Sequence, residues 1–431
     1  MKFSIESIKQ IEKIIVTDFS AQIEAENIKA GELENVLRHN FQEIAKSSYG
    51  KMLSLLDEHN HGVEAICRCG EQGKRVSKRE AQVLSVFGWS EYHRSYYKCG
   101  CCGHRWVALD EDQGLRAGQA TPLMSSLLAL SGITVSFEEA QRQIKQYLLV
   151  EVSANTIRQE TQLIGEKQAE REEKWITQSQ DLAHLQERER LQKRPQRLYG
   201  SIDGAFAPLE KEWREIKTVC WYQTGSRYGS EELHAQDIAY YSSLEKAESF
   251  GELLWGTGLH HRVEQAEELI FVCDGASWIW KQVEKFFPKA VQIVDWYHAN
   301  QYLHAVAEAL PVSKEEQKNW YAEMKKLLWK GEVEIIIEKS RLLLAQVGEP
   351  VKRLISYDIN NIERMRYNEF RAKKYLIGSG TVESACKQIV AMRLKRSGAR
   401  WTEYGAEMTA KARTAWLSGT WQSVSRSPIA L

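Results

Sequence analysis

The chain has 431 residues, 43% of them apolar, and its 58 Lys and Arg balance 58 Asp and Glu. At roughly 100–200 residues per domain this length allows two to four domains, and zero net charge excludes a protein that coats nucleic acid by bulk charge. The balance conceals an asymmetry: residues 351–431 hold 15 basic against 6 acidic side chains, leaving 43 against 52 before them. Lys2, Glu6, Lys9, Glu12, Lys13 and Asp18 interrupt Met1–Phe19, so no apolar targeting segment is expected. No stretch approaches the length of apolar chain that a membrane helix requires, so no membrane partner is expected. Five of the eight cysteines lie between Cys67 and Cys102. A chain this long does not need disulfide staples, so the expectation is a reducing cytoplasm and one metal-type cluster.

Residues 1–60 predict an N-terminal helical region, with Leu37, Phe41, Ile44 and Ala45 on one apolar face. Residues 61–112 predict a small β-rich module, whose strand-like runs Val83–Trp89, Tyr92–Tyr97 and Arg105–Leu109 alternate with cysteine turns. Helical periodicity returns over 120–167, and 168–197 reads as a charged, solvated helical linker closed by Pro195. Strands are then predicted at Leu198–Ile202, Ile216–Gln223, Gln236–Tyr241, Leu269–Cys273 and Val291–Val294, with helices at about Glu245–Leu259 and Trp278–Phe287. That alternation predicts an α/β sheet. Residues 299–372 are helical in pattern, Gly378-Ser379-Gly380 punctuates them, and a last helical stretch leads to a tail at 416–431. No internal repeat is visible.

Cys67-x-Cys69 is followed by Cys99-x-x-Cys102, with Gly103 after the second pair. Tetrahedral zinc takes four soft ligands on two tight knuckles, so this pattern predicts a zinc-ribbon-like module with a structural Zn²⁺ on Cys67, Cys69, Cys99 and Cys102. The first knuckle is one residue short, which keeps Cys101 and His104 as alternative ligands and reduced thiols without metal as the plainer reading. Arg94, Lys98 and Arg105 are the module's candidate DNA contacts.

Ser136, with Glu139 three residues on, begins a helix whose apolar face is Phe137, Ala140, Ile144 and Tyr147. After a turn at Leu148–Val152, Ser153 opens a second helix with Ala154, Ile157 and Ile164 inward and Asn155, Arg158, Gln159 and Gln162 outward. This reads as a helix-turn-helix over 120–167, its outward residues being types that read base edges. Ordinary helix packing accounts for the same pattern.

Two apolar strands each end in Asp-Gly, at Asp203-Gly204 and Asp274-Gly275, and Glu383 follows the Gly378–Gly380 break at the start of a helix. Each acid alone is a common turn or surface residue. Together, in order on one scaffold, they would supply the carboxylates that hold two Mg²⁺ or Mn²⁺ ions for phosphoryl transfer. Asp295-x-x-His298 follows another strand and reads as a hydrogen-bonded pair near that site.

The runs Ser201-Ile-Asp203-Gly-Ala, Trp213-Arg-Glu-Ile-Lys217, Val272-Cys-Asp274-Gly-Ala-Ser-Trp278-Ile-Trp280, Phe287-Pro288, Asp295-Trp-Tyr-His298 and Gly378-Ser-Gly-Thr-Val-Glu383 carry a resemblance. From the cysteine module to about Arg413 the chain resembles the ISKra-type DDE transposases of bacterial insertion sequences, related to the Mutator-like lineage. The resemblance implies a multidomain α/β protein with an RNase H-like catalytic domain over 198–298 and 373–415 and a helical insertion over 299–372. It also implies catalytic, metal-binding residues Asp203, Asp274 and Glu383, with Asp295 and His298 auxiliary. The activity implied is metal-dependent cleavage and strand transfer on double-stranded DNA, at terminal inverted repeats and a target. Synapsis of two ends implies a homodimer or higher assembly in the nucleoid.

The basic C-terminal region fits that expectation. Lys387, Arg393, Lys395, Arg396 and Arg400 would neutralise phosphates beside the site. Of Trp320, Trp329 and Trp401, at least two are expected in the core. An RNase H-like nuclease without strand transfer, and a non-catalytic zinc and helix-turn-helix regulator, are the alternatives.

Overall fold

The computed structural model describes residues 4–26, 29–188, 194–226 and 233–425. They divide into two compact units. The first holds Met1–Leu127 and Gln141–Ser153, and the second holds Leu128–Ala140 and Ala154–Ser425.

In the first unit, helices α1 (Ile5–Glu26) and α2 (Ala30–His61) precede a four-stranded antiparallel sheet in the order β1 (Glu64–Ile66), β2 (Gln72–Ser85), β3 (Gly88–Cys99) and β4 (Arg105–Val107). The separate short runs expected for this region merge into one long β2–β3 hairpin, because Ser85 pairs with Gly88 across a tight turn. Gly88 takes a positive φ there, which a side chain would resist. One small core joins Cys67, Tyr97, Cys99 and Trp106, and another joins Leu53, Val83, Tyr92 and Leu109. Helix α3 (Ala108–Gln113) closes the module.

The division between units falls inside α4 (Pro122–Thr134) and α5 (Phe137–Leu148). The two helices expected as a helix-turn-helix, α5 and α6 (Ala154–Gln180), therefore lie mostly in different units. Ser136 caps α5 as expected, accepting from the Glu139 N–H at 3.2 Å. Tyr147 departs from its expected inward face and is 68% exposed. Within the first unit, Arg38 and Gln42 on α2 bind the terminal carbonyls of α5 at Gln146, Tyr147 and Leu148.

The charged stretch expected as a solvated linker is mostly exposed or part-buried, but one face of its helix enters the core. Helix α6 runs through it to Gln180 and buries Gln168, Glu172 and Ser179. Glu172 tolerates burial because Lys411 reaches it at 2.5 Å and Gln168 donates to it at 2.8 Å. Removing one partner of such a buried pair costs about 3–5 kcal/mol. After α7 (Leu182–Glu187) comes a second sheet, which carries the main core.

That sheet joins β5 (Arg197–Pro208), β6 (Trp213–Ser226), β7 (Leu233–Ser243), β8 (Glu268–Cys273) and β9 (Val291–Val294), in the order β7-β6-β5-β8-β9 among the described residues. β5, β6 and β7 are antiparallel neighbours, whereas β5, β8 and β9 run parallel. The central strands are buried on both faces, which explains the near-continuous apolar runs Leu198–Ile202 and Ile270–Cys273. All five strands and both intervening helices, α8 (Ala247–His260) and α9 (Ser277–Phe286), fall where the sequence predicts them.

The expected helical insertion comprises α10 (Trp296–Ala309), α11 (Lys314–Trp329), α12 (Val333–Arg341), α13 (Leu344–Val347), α14 (Glu349–Asn361) and α15 (Tyr367–Ala372). It shares the sheet's core through Leu303, Ile336, Leu354 and Tyr367, and the Tyr367 hydroxyl donates to the Val294 carbonyl at 3.0 Å. Helices α16 (Gly380–Cys386), α17 (Glu403–Leu417) and α18 (Trp421–Val424) complete the unit. The segment expected as a tail is partly structured, since Trp421 and Val424 pack against Ala412 and Ala415. Residues 426–431 lie outside the described residues. No described helix is long and apolar enough to cross a membrane.

Candidate metal centres and acidic site

In the cysteine module Cys67 and Cys102 stand 3.6 Å apart at sulfur, as do Cys69 and Cys99. All four Sγ atoms lie within 4.8 Å of one another. Four thiolates about 2.3 Å from one ion in a tetrahedron stand about 3.8 Å apart, so the donor set fits zinc. The shortened first knuckle closes because the Gly70 N–H returns to the Cys67 carbonyl at 2.8 Å, with Gly70 at positive φ. At the second knuckle the Cys102 N–H leads the interactions that hold the Cys99 thiol down to about 7. A thiol held there is readily a thiolate ligand. Cys101 and His104 stand outside this four-sulfur group.

The acidic site is built by strand register. Gly200 on β5 pairs with Phe271 on β8, and Phe271 pairs with Gln292 on β9. Three residues further along each strand direction stand Asp203, Asp274 and Asp295. Parallel neighbours are about 4.8 Å apart, so the three aspartates follow the paired residues of three neighbouring strands at the same level. Burial pushes the Asp203 carboxyl above its ordinary range; the Gly204 N–H at 2.7 Å opposes this and the Asp274 charge adds to it. Burial likewise raises Asp274, against the Ala276 N–H at 2.9 Å. Half-buried acids that repel one another in this way are the condition a cation relieves.

Asp295 differs from the other two. It is fully buried and caps α10, accepting the His298 N–H at 2.7 Å and facing His298 Nδ1 at 3.1 Å. Its other oxygen accepts the Ser379 N–H, just before α16. Burial alone would raise it, but the bonds from His298 and Ser379 hold it below the ordinary carboxylate range. The Asp295 bond, working against burial, holds His298 above its usual value. The pair is hydrogen-bonded, as the sequence reading expects.

Asp295 thereby ties the start of α10 to the start of α16, which carries Glu383. Ser379 Oγ donates to Glu383 at 3.2 Å, and His298 Nδ1 lies 3.8 Å from the Glu383 carboxylate. The tight ligand group is therefore Asp295, His298 and Glu383, with one ligand atom from each inside 4.8 Å. Asp203 and Asp274 flank that group and sense His298 electrostatically.

The glycines after the aspartates answer to packing. A Cβ on Gly275 would stand 2.0 Å from the ring of Tyr357, and Tyr357 is stacked on Tyr302 at 4.0 Å. A Cβ on Gly204 would meet the carboxylate of Glu215 at 2.1 Å. Glu215 on β6 adds a further acid to the site and pairs with Lys217 at 3.2 Å. Neither residue stands out in the sequence; their signal is alternation on β6, which puts 215 and 217 on one face. Next to Gly275 opens a cleft of about 750 Å³ lined by Trp280, Lys281, Lys352, Arg353 and Arg364.

The expected DNA-contact residues separate by exposure. Asn155, Arg158, Gln159, Lys387, Lys395, Arg396 and Arg400 are exposed. Gln162, expected outward, is buried, and Arg393 is only 2% exposed. Arg393, Arg396 and Arg413 donate to the carbonyls of Gly132, Thr134 and Ile133, so three guanidiniums cap the end of α4. Trp401 is buried and Trp320 packs against the core, whereas Trp329 is 41% exposed beneath Arg371.

The model of a family described as "Uncharacterised protein family (UPF0236)" matches residues 24–427. No curated protein matches the chain.

Proposed function

The chain belongs to that family along nearly its whole length, and on its acidic site we propose that it is a DDE transposase of an insertion sequence. The observation that carries this reading is that Asp203, Asp274 and Asp295 follow the paired residues of three neighbouring strands, with Glu383 tied to Asp295 through Ser379. The sheet order, with three antiparallel strands followed by two parallel to the first, supports assignment to the RNase H-like fold. In this reading Asp203, Asp274 and Glu383 would hold two Mg²⁺ or Mn²⁺ ions. Such ions lower the pKa of the attacking hydroxyl or water and neutralise charge on the leaving oxygen.

The protein's own contribution is position. Asp203 and Asp274 are set by adjacent strands, and each spends one oxygen on a backbone N–H, which fixes its carboxylate plane. Asp295 and His298 are positioning residues that hold Glu383 toward these aspartates. Water cleaves a phosphodiester at the transposon end and leaves a 3′-hydroxyl. That hydroxyl then attacks a target phosphodiester, so one P–O bond forms as another breaks and no covalent protein–DNA link is required. Double-stranded DNA is the proposed substrate, in a synaptic homodimer or higher assembly, and the Cys₄ module holds a structural zinc.

The test is strand transfer in vitro with Mg²⁺ and terminal-repeat DNA, comparing wild type with Asp203→Ala and Glu383→Ala. The expected result is joined product from wild type and, from the variants, DNA binding without joining. Equal product from all three proteins overturns the assignment. Cleavage without joining turns the reading into a nuclease.

A further inference from the structure

Away from the acidic site, the second unit contains a cavity of about 460 Å³ between the start of α5, helix α6 and the loop that precedes α17. Arg158, Arg393, Arg396 and Arg400 line it, against the carboxylates of Glu138 and Glu210. Its positive excess is therefore two charges, concentrated in a small volume.

Arg393 makes this cavity unusual. Its guanidinium packs against the rings of both Phe137 and Trp401, 4.7 and 4.8 Å from their centroids, and those rings meet each other edge to face. Nε donates to the Gly132 carbonyl at 2.7 Å, but Nη2 is buried with no hydrogen-bond partner. A buried guanidinium with an unsatisfied donor is costly, and an anion in hydrogen-bond reach removes that cost. The Gly132 bond and the two ring contacts hold the guanidinium in place, so its remaining donor is preorganised for an oxyanion. Arg396 and Arg400 are exposed at the mouth, where cations add attraction without a burial penalty.

We propose that this cavity is a phosphate-binding site, which takes one phosphodiester of a DNA strand on Arg393, Arg396 and Arg400. The identity of the strand rests on the transposase reading; the phosphate chemistry does not. The site is distinct from the acidic site, whose partner is a cation.

The first arm of the test uses inorganic phosphate. The full chain is melted in rising phosphate at constant ionic strength, with chloride as the balancing anion. Ligand that binds the folded state alone raises the midpoint. The expected result is a rise of a few degrees in wild type that is absent in Arg396→Ala/Arg400→Ala, each protein being read against its own midpoint in chloride because Arg396 also holds the Thr134 carbonyl at the end of α4. Arg393→Gln serves as a second variant. No phosphate-specific rise in wild type, or an equal rise in the double variant, overturns the proposal.

The second arm measures duplex DNA affinity against salt with Asp203→Asn, which cannot cleave. One lost phosphate contact lowers the slope of log affinity against log salt by about 1. Adding Arg400→Ala is expected to give that loss. An unchanged slope alongside phosphate binding assigns the cavity to free phosphate and overturns its DNA role. Neither readout involves catalysis, so absence of strand transfer in the earlier assay leaves both results interpretable.

Discussion

Asp274 and Asp295 end adjacent parallel strands side by side, one residue beyond the paired Cys273 and Val294, yet only Asp295 is consumed by the protein. Its two oxygens hold the starts of two helices, whereas Asp274 accepts from the nearby Ala276 N–H and remains half exposed at the site. The same residue type at the same level thus divides into an acid held by the scaffold and one left to the proposed site.

Asp295→Asn tests that division. An amide presents NH₂ to one of the two N–H groups that the carboxylate now accepts, leaving a buried donor facing a donor. The expected cost is about 1–3 kcal/mol in chemical denaturation. Strand transfer should fall at least tenfold at saturating Mg²⁺, since Glu383 loses its support. Unchanged stability with unchanged activity would sink the scaffold role.

Gly275→Ala should be far more damaging than its size suggests. The new methyl meets the Tyr357 ring, which is buried and stacked on Tyr302, so that stack must shift to admit it. Overpacking of this kind costs about 1–3 kcal/mol. Gly275→Ala/Tyr357→Ala is expected to recover part of the lost activity, measured in the same joining assay. Gly204→Ala, by contrast, meets only the movable end of Glu215 and should retain the fold.

Elemental analysis should find one zinc per chain, lost on Cys99→Ser. Removing zinc with a chelator is expected to unfold the β1–β4 module and spare the second sheet, because zinc binding energy is folding energy only where its ligands lie. Far-ultraviolet dichroism before and after chelation gives the readout. A module that melts at the same temperature with and without metal refutes the structural role.

Asp358 supplies a pH dependence. It is buried on α14, its Oδ2 has no partner among the described residues, and burial pushes its carboxyl up to about 8. The folded state therefore keeps a proton that the unfolded chain releases near pH 4. Stability contributed by the neutral acid is complete below pH 4 and declines as pH rises from there to about 8. Asp358→Asn should raise the melting midpoint at pH 8 by a few degrees and flatten its dependence between pH 5 and 8. A steeper dependence in the variant would contradict the burial argument.

Much of the second sheet is legible in the sequence because its order parameter is local. Parallel strands buried on both faces must be apolar throughout, and Leu198–Ile202 and Leu269–Cys273 announce themselves. The Cys₄ cluster is legible for a related reason, since knuckle ligands are close in sequence. The packed face of the charged helix 168–180 is missed because a Glu that looks solvated is neutralised by Lys411, 239 residues away. Arg393 reads as a surface cation for the same reason, although its partners are the end of α4 and two rings.

By itself, then, the sequence determines the candidates for chemistry: two Asp-Gly strand ends, one Glu at a helix start, an Asp-x-x-His and four clustered cysteines. Only the tertiary structure decides how they divide the work. Strand register aligns Asp295 with Asp203 and Asp274, and burial gives it two backbone donors to satisfy. Periodicity along one segment carries no information about a partner brought in from another, and register between strands is such information.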